Sequence, residues 1–242
     1  MNLVLTMAGK YSRFRLFGNK IPKYLLPLGA ETILSEIIKQ YLRSALTSKI
    51  YLIANRDDQI FFPIVRSIMG KYNINYKNLI YIDDTSSQLE TALTTFELLP
   101  SDQLSSPIAF ANIDTVIFKR NSFFELLESG EPEIGLLDTF TGESKQYSYA
   151  RIDEEFKVYD IVDKNVISQY ACSGLYGFGS YSIMAKIATN LLKKNAIANF
   201  TDLYKEYILA GNNVYSTFSK DSKHTIVLGT PEEYLINIHR FK

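Results

Sequence analysis

Lys10, Arg13, Arg15 and Lys20 crowd a polar stretch from Gly9 to Pro22, with Lys23 just beyond, directly after the apolar run Asn2 to Met7. A glycine at the end of a buried strand lets backbone come close to an anion. Arginine and lysine reaching over the same spot supply charge-assisted hydrogen bonds to phosphate oxygens. By charge alone the stretch is also an ordinary solvated basic loop. A second concentration of polar residues, Asp83 to Leu93, has the make-up of a helix N-terminus. Ser86 or Ser87 would be its cap, Glu90 an acid in its first turn, and Leu89, Leu93 and Phe96 its core face. A third block, Phe110 to Ile117, sets Asp114 beside Asn112 at the C-terminal edge of an apolar run. Such an aspartate is either a turn residue or, if it faces a polyphosphate, a magnesium ligand, because Mg²⁺ takes one or two carboxylates plus phosphate oxygens and water.

Later blocks are sparser. Tyr147 to Asp153, Val158 to Lys164 and Cys172 to Phe178 read as strands with a polar turn holding Asp163 and Lys164. Gly174, Gly177 and Gly179 have the spacing of a dinucleotide motif reversed and come too late in the chain, which dismisses that motif. Val227 to Leu235 reads as a capped helix with Pro231 in its first turn. The match Asn199-Phe200-Thr201 to a glycosylation acceptor has no meaning in a chain that stays in the cytoplasm, and Cys172 reads as a buried strand residue.

These blocks need elements to hold them. Strands are expected at Asn2 to Met7, Lys49 to Asn55, Asn78 to Asp83 and Pro107 to Asn112. The intervening helices are a segment after Thr32 with Ile33, Ile37, Ile38, Tyr41 and Leu42 at helical spacing, then Ile60 to Tyr72, then Gln88 to Leu99 ended by Pro100. That alternation is the signature of a β-α-β sheet. In such a sheet ligands bind outside the carboxyl ends of the strands, which is where the first three blocks fall. After Asp114 the rhythm changes. Strands are expected at Glu133 to Phe140, Tyr147 to Asp153, Phe156 to Val162, Ser173 to Gly179 and Val214 to Phe218, and helices at Ser182 to Lys194, Thr201 to Ala210 and from Pro231.

In order and spacing the blocks resemble the signature of the sugar-phosphate nucleotidyltransferases, the nucleotide-sugar pyrophosphorylases and similar cytidylyltransferases. There a strand ends in Ala-Gly, two residues later come Ser or Thr and Arg, and Pro-Lys follows a variable loop. Ala8, Gly9, Ser12, Arg13, Phe14, Pro22 and Lys23 match. Tyr11 stands where glycine is usual, and Tyr24 where proline is common. The resemblance implies an α/β fold, a Rossmann-like (GT-A-type) three-layer α/β/α arrangement on a mixed, mainly parallel sheet. It implies one domain over 1–242, with a nucleotide half of about 1–118 and an acceptor half of about 119–242.

The implied nucleotide site is Ala8, Gly9, Lys10, Tyr11, Ser12, Arg13, Lys23, Ser87, Gln88 and Asn112, with Gln88 reading the base. Asp114 is implied to hold Mg²⁺. Lys164, Gly174 and Tyr149 are implied to bind the acceptor, and Arg13, Lys23 and Lys164 to act in catalysis. Many relatives carry a second metal-binding aspartate where this chain has Val227, so either another acid such as Asp221 takes over, or one carboxylate suffices, or metal binding is impaired.

The implied reaction transfers NMP from an NTP to a sugar phosphate or small phosphorylated acceptor, releasing pyrophosphate, for capsule or other cell-surface polysaccharide precursors. CTP-dependent transfer to a non-sugar acceptor is the alternative. A phosphate monoester carries nearly two charges at neutral pH, its second pKa being about 6, so no general base is needed. That suits a chain with only two histidines, His224 and His239. A glycosyltransferase of related fold needs Asp-x-Asp where Asn112 stands. A binding protein that keeps the fold without turnover is suggested by Tyr11 and Val227.

Composition agrees with these expectations. The 242 residues are 46% hydrophobic, with 26 basic and 26 acidic side chains. Zero net charge argues against a general binder of nucleic acid or membrane surfaces. The one cysteine forms no internal disulfide, and Lys10, Arg13 and Arg15 follow the first apolar run too closely for a signal peptide, so a cytoplasmic protein is expected. A homodimer is common in the family.

Overall fold

The computed structural model describes residues 1–18, 20–44 and 49–241. In chain order its strands are β1 (Asn2–Met7), β2 (Pro27–Leu28), β3 (Glu31–Thr32), β4 (Lys49–Asn55), β5 (Leu79–Ile82), β6 (Ile108–Asn112), β7 (Thr115–Ile117), β8 (Gly135–Thr141), β9 (Tyr149–Ile152), β10 (Val158–Val162), β11 (Tyr170–Phe178), β12 (Val214–Ser219) and β13 (Thr225–Val227). The helices are α1 (Ser12–Leu16), α2 (Ile33–Ser44), α3 (Phe62–Lys71), α4 (Gln88–Leu93), α5 (Asn121–Ser129), α6 (Tyr181–Lys194), α7 (Phe200–Leu209) and α8 (Pro231–Asn237).

Nine strands form one sheet, ordered β10-β9-β11-β6-β1-β4-β5, with β8 beside β11 and β12 beside β8. The β6-β1-β4-β5 run is parallel. The antiparallel strand β11 joins it to the second half. Side chains alternate across β1: Leu3, Leu5 and Met7 enter one buried cluster with α2 and α5, and Val4 enters the other with α4, α6 and α7. Two helical layers therefore sandwich a mixed sheet whose β6-β1-β4-β5 core is parallel, the three-layer α/β/α architecture expected above. No helix among the described residues is long and apolar enough to cross a membrane.

The topology fixes where a ligand goes. The chain leaves β1 toward β4 on one side and later returns to β6 on the other, a reversal that opens a crevice beyond the carboxyl ends of β1 and β6. Register sets Thr6 opposite Asn112, so the loop after Met7 and the turn after Asn112 start side by side. A two-stranded ribbon of β7 and β13 then brings the C-terminal segment back to the same place, the Leu228 N–H donating to the Asp114 carbonyl at 2.7 Å.

Four local differences from the sequence expectations have physical causes. The basic loop contains the short helix α1, entered through Tyr11. The helix expected over 88–99 ends at Leu93 and tightens into a 3-10 turn over 94–97, where the Thr94 hydroxyl takes the Thr91 carbonyl at 2.6 Å and competes with helical bonding. The strand expected from Ser173 begins three residues earlier, at Tyr170. Strands β7 and β13 and helix α5 were not foreseen; a three-residue strand leaves almost no periodic pattern.

Candidate active site

Two cavities meet beyond the sheet's carboxyl edge. The first, about 400 Å³, is lined by Ala8 to Tyr11, Lys23, the segment Asp84 to Gln88, Asn112 and Asp114. The second, about 310 Å³, is lined from the other half by Tyr147, Ser148, Asp163, Lys164, Ser173, Gly174, Thr201 and Glu233, and also by Arg13. Gln88, Asn112 and Asp114 belong to both and form the wall between them.

That wall is tightly built. Gln88 donates through Nε2 to Asn112 Oδ1 at 2.7 Å. Gly174, at φ +88°, sits against Asn112 so closely that a Cβ would lie 2.8 Å from Asn112 Nδ2. Glycine is required there both for its left-handed backbone and for space. At the seam, Lys23 Nζ donates to Asp114 Oδ2 at 2.9 Å. Burial pushes the Asp114 carboxyl up, and the Lys23 ammonium overrides that and holds it below its ordinary range. Lys23 is buried and is held in the turn Lys23–Leu25, with its ammonium 5.9 Å from the centre of the Phe14 ring. Phe14 in turn meets Tyr234 of α8 edge-on.

The first cavity is closed on its far side by polar ties. Lys10 pairs with Asp84 at 2.7 Å, and Asn55 donates to the same carboxylate at 2.8 Å, so the loop after β1 is tied to the loop after β5. Hydrogen bonding to Lys10 and then Asn55 holds Asp84 below the usual carboxylate range. Ser87, not Ser86, caps α4, accepting from the Glu90 N–H at 3.1 Å. The Ser86 amide and hydroxyl both donate to the Glu90 carboxylate.

In the second cavity Lys164 sits at φ +51° with its ammonium 3.5 Å from Asp163, which also accepts from the Ser148 hydroxyl at 2.7 Å. Glu233 reaches the cavity from α8. One carboxylate oxygen accepts from Tyr147 at 3.0 Å and the other from the Thr230 N–H at 2.9 Å. A Cβ on Gly229 would lie 3.3 Å from Glu233 Oε2 and 3.4 Å from Asp114 Oδ2, so the two carboxylates flank one point.

The structure therefore brings Ala8, Gly9, Lys10, Tyr11, Lys23, Ser87, Gln88, Asn112 and Asp114 to the first cavity, and Lys164 and Gly174 to the second. Arg13 lies in the second cavity, its guanidinium 3.5 Å from Gln146 Oε1. Three residues stand apart. Ser12 opens α1 on its solvent side and lines neither cavity. Tyr149 is fully buried beside Phe140 and Ala171, because side chains alternate along a strand and its neighbour Ser148 takes the cavity face. Asp221 caps the turn before β13, lies 3.6 Å from His224, and lines neither cavity.

Sequence reasoning gave no cavity role to Glu233, Asn199 or Thr201, which line the second cavity. The signal for the last two was present: Asn199 caps α7 and opens a capping box with Asp202.

No protein-family model matches the sequence, and no curated protein matches it. Solved structures do match in fold. A nucleoside-diphosphate-sugar pyrophosphorylase from Vibrio cholerae RC9 superposes with a TM-score of 0.80 at 21% identity, covering 99% of this chain and 100% of that one. A candidate glucose-1-phosphate thymidylyltransferase from Bacillus anthracis, solved with a sucrose, gives 0.76 at 16% identity over 99% and 94% of the two chains. A UDP-glucose pyrophosphorylase complexed with UDP-glucose gives 0.75 at 16% identity over 99% and 97%. With its cavities at the same sheet edge that the topology marks for ligands, the chain has the fold of the nucleotide-sugar pyrophosphorylases.

Proposed function

We propose that this chain is a nucleotidyltransferase that moves NMP from an NTP to a sugar phosphate, releasing pyrophosphate and supplying an activated sugar for cell-surface polysaccharide synthesis. The observation that carries the reading is the shared wall. Two adjoining cavities, one rimmed by a glycine loop and cations and the other by Lys164, meet at the Lys23–Asp114 pair. In this reading residues 1–118 supply the nucleotide half and 119–242 the acceptor half.

The NTP occupies the first cavity, with its phosphates along the Ala8 to Tyr11 backbone, beside Lys10 and Lys23, and its base toward Ser87 and Gln88. Lys23 neutralises charge on the α-phosphate as the acceptor attacks. Arg13, an exposed side chain that lines the second cavity 3.5 Å from Gln146, serves the departing pyrophosphate by turning from that contact toward the first cavity. Lys164 holds the acceptor's phosphate. An acceptor phosphate is already a dianion for the most part, so the site needs positioning and charge more than a base.

Asp114 suits one magnesium ion completed by phosphate oxygens and water. Its Oδ2 is held by Lys23, while Oδ1 accepts a long hydrogen bond from the Thr115 hydroxyl at 3.5 Å. When bound, Mg²⁺ would neutralise phosphate charge at this carboxylate.

The test is pyrophosphate release by the purified chain with Mg²⁺, each of CTP, UTP, GTP, ATP and dTTP, and panels of sugar phosphates and phosphorylated small alcohols. Release with one NTP and a sugar phosphate is the expected outcome. Release only with a non-sugar acceptor would replace the sugar assignment, and NTP binding without release across both panels would make the chain a binding protein.

A further inference from the structure

Tyr11 is a tyrosine in a glycine's conformation. Its φ of 35° and ψ of 41° lie in the left-handed region, which glycine adopts freely and other residues rarely do. A side chain kept at such a position is there to make a contact, and this one makes a directed contact. The Tyr11 hydroxyl donates to Oδ1 of Asp58, and the Tyr24 hydroxyl donates to Oδ2 of the same carboxylate at 3.2 Å. Arg15 lies over the Tyr11 ring, its guanidinium carbon 5.0 Å from the centroid.

Asp58 is 3% exposed and lines neither cavity. It sits in the turn 56–61 directly after β4, and its hydrogen-bond partners are the two tyrosines. A buried carboxylate is a costly way to fill space. What it provides is geometry, because its two oxygens lie in one plane at a fixed separation and so fix the two hydroxyls relative to each other. Tyr11 belongs to the loop that carries Gly9, Lys10 and Arg13. Tyr24 is fully buried and adjoins Lys23, which reaches Asp114.

We infer that Asp58 is a positioning residue that, through Tyr11 and Tyr24, sets the glycine loop and the Lys23 turn at the separation a bound triphosphate chain requires. The inference rests on the phosphate site proposed above. It also gives the departure from glycine at position 11 a use: the loop is latched by a side chain instead of being left free.

Calorimetric titration of the full chain with inorganic tripolyphosphate tests the latch without knowledge of base or acceptor. Wild-type protein is expected to bind. Asp58→Asn should weaken binding about tenfold, the scale of one hydrogen bond to a charged group. Tyr11→Phe and Tyr24→Phe should each weaken it several-fold, and the double variant should match Asp58→Asn. Tyr11→Gly should also weaken binding, although it relieves the backbone. Leu127→Ala, a core truncation on α5, controls for general loosening: it should lower the thermal midpoint and leave the tripolyphosphate Kd unchanged.

Wild-type affinity in the two phenylalanine variants overturns the inference while leaving the phosphate site standing, and they carry the test if Asp58→Asn does not fold. Wild-type affinity in Tyr11→Gly, or equal loss of affinity in Leu127→Ala, also overturns it. Failure of the wild-type protein to bind tripolyphosphate removes the phosphate-site reading and the inference with it.

Discussion

Lys23–Asp114 and Arg120–Asp138 are both close ion pairs, at 2.9 and 2.7 Å, and their members Asp114 and Arg120 bracket the same short strand, β7. They are built for opposite purposes. The Arg120 and Asp138 side chains are 4% and 0% exposed, and the guanidinium has further acceptors in the Phe118 carbonyl at 2.7 Å and the Thr225 hydroxyl at 2.6 Å. Both side chains are shut away from solvent, where no ligand reaches them. Lys23 and Asp114 are 11% and 29% exposed and face the cavity wall, so each has hydrogen-bonding capacity still open. A pair with all its partners inside the protein pins the ribbon; a pair facing a cavity is a site in waiting.

The contrast can be broken by experiment. Arg120→Ala strands a buried carboxylate and should cost about 3–5 kcal/mol of stability, seen as a lowered thermal unfolding midpoint. Lys23→Ala should leave most of that stability in place, since Asp114 faces open space, yet reduce pyrophosphate release about 10²- to 10³-fold in steady-state assays. If Lys23→Ala instead unfolds the protein and Arg120→Ala does not, the two roles are exchanged. Gly174→Ala sharpens the comparison from the wall's side. The added methyl meets Asn112 at a left-handed φ, so a loss of about 1–3 kcal/mol and a raised KM for the NTP are expected.

The smallest effect is in pH dependence, and the two pairs should differ in sign. Lys23 lowers the Asp114 carboxyl in the folded state, so its contribution to stability is present above the ordinary value of 3.8 and is lost as pH falls through the lowered one. Burial raises the Asp138 carboxyl despite the Arg120 guanidinium, so its contribution declines as pH rises from 3.8 through the raised value. Denaturant melts of wild type, Asp114→Asn and Asp138→Asn across the acid range should show the first stability difference growing with pH and the second shrinking. Parallel curves would remove the electrostatic distinction.

The N-terminal half was far more legible in the sequence than the C-terminal half. Continuous apolar runs such as Leu3 to Met7 mark parallel strands, and the polar blocks at their ends fall at the crevice because topology requires it. In the C-terminal half the expectation for Tyr149 came with the resemblance alone, and in a short strand a shift of one residue exchanges faces, so Ser148 lines the cavity and Tyr149 is buried. Asp58 escaped for another reason. It lies in the turn after β4, the second parallel strand in sequence, which carries no phosphate-like pattern because its buried carboxylate acts from beneath the site.

Helix α8 has a practical consequence. Glu233 enters the second cavity, Tyr234 packs on Phe14 and donates to the Pro27 carbonyl at 2.6 Å, and Phe241 stacks near Phe118. Residues 231–241 thus complete walls that Phe14 and Pro27 begin. A chain from which residues 231–241 are removed would hold an unfinished cleft, so proteolytic trimming there should silence the protein before it unfolds it.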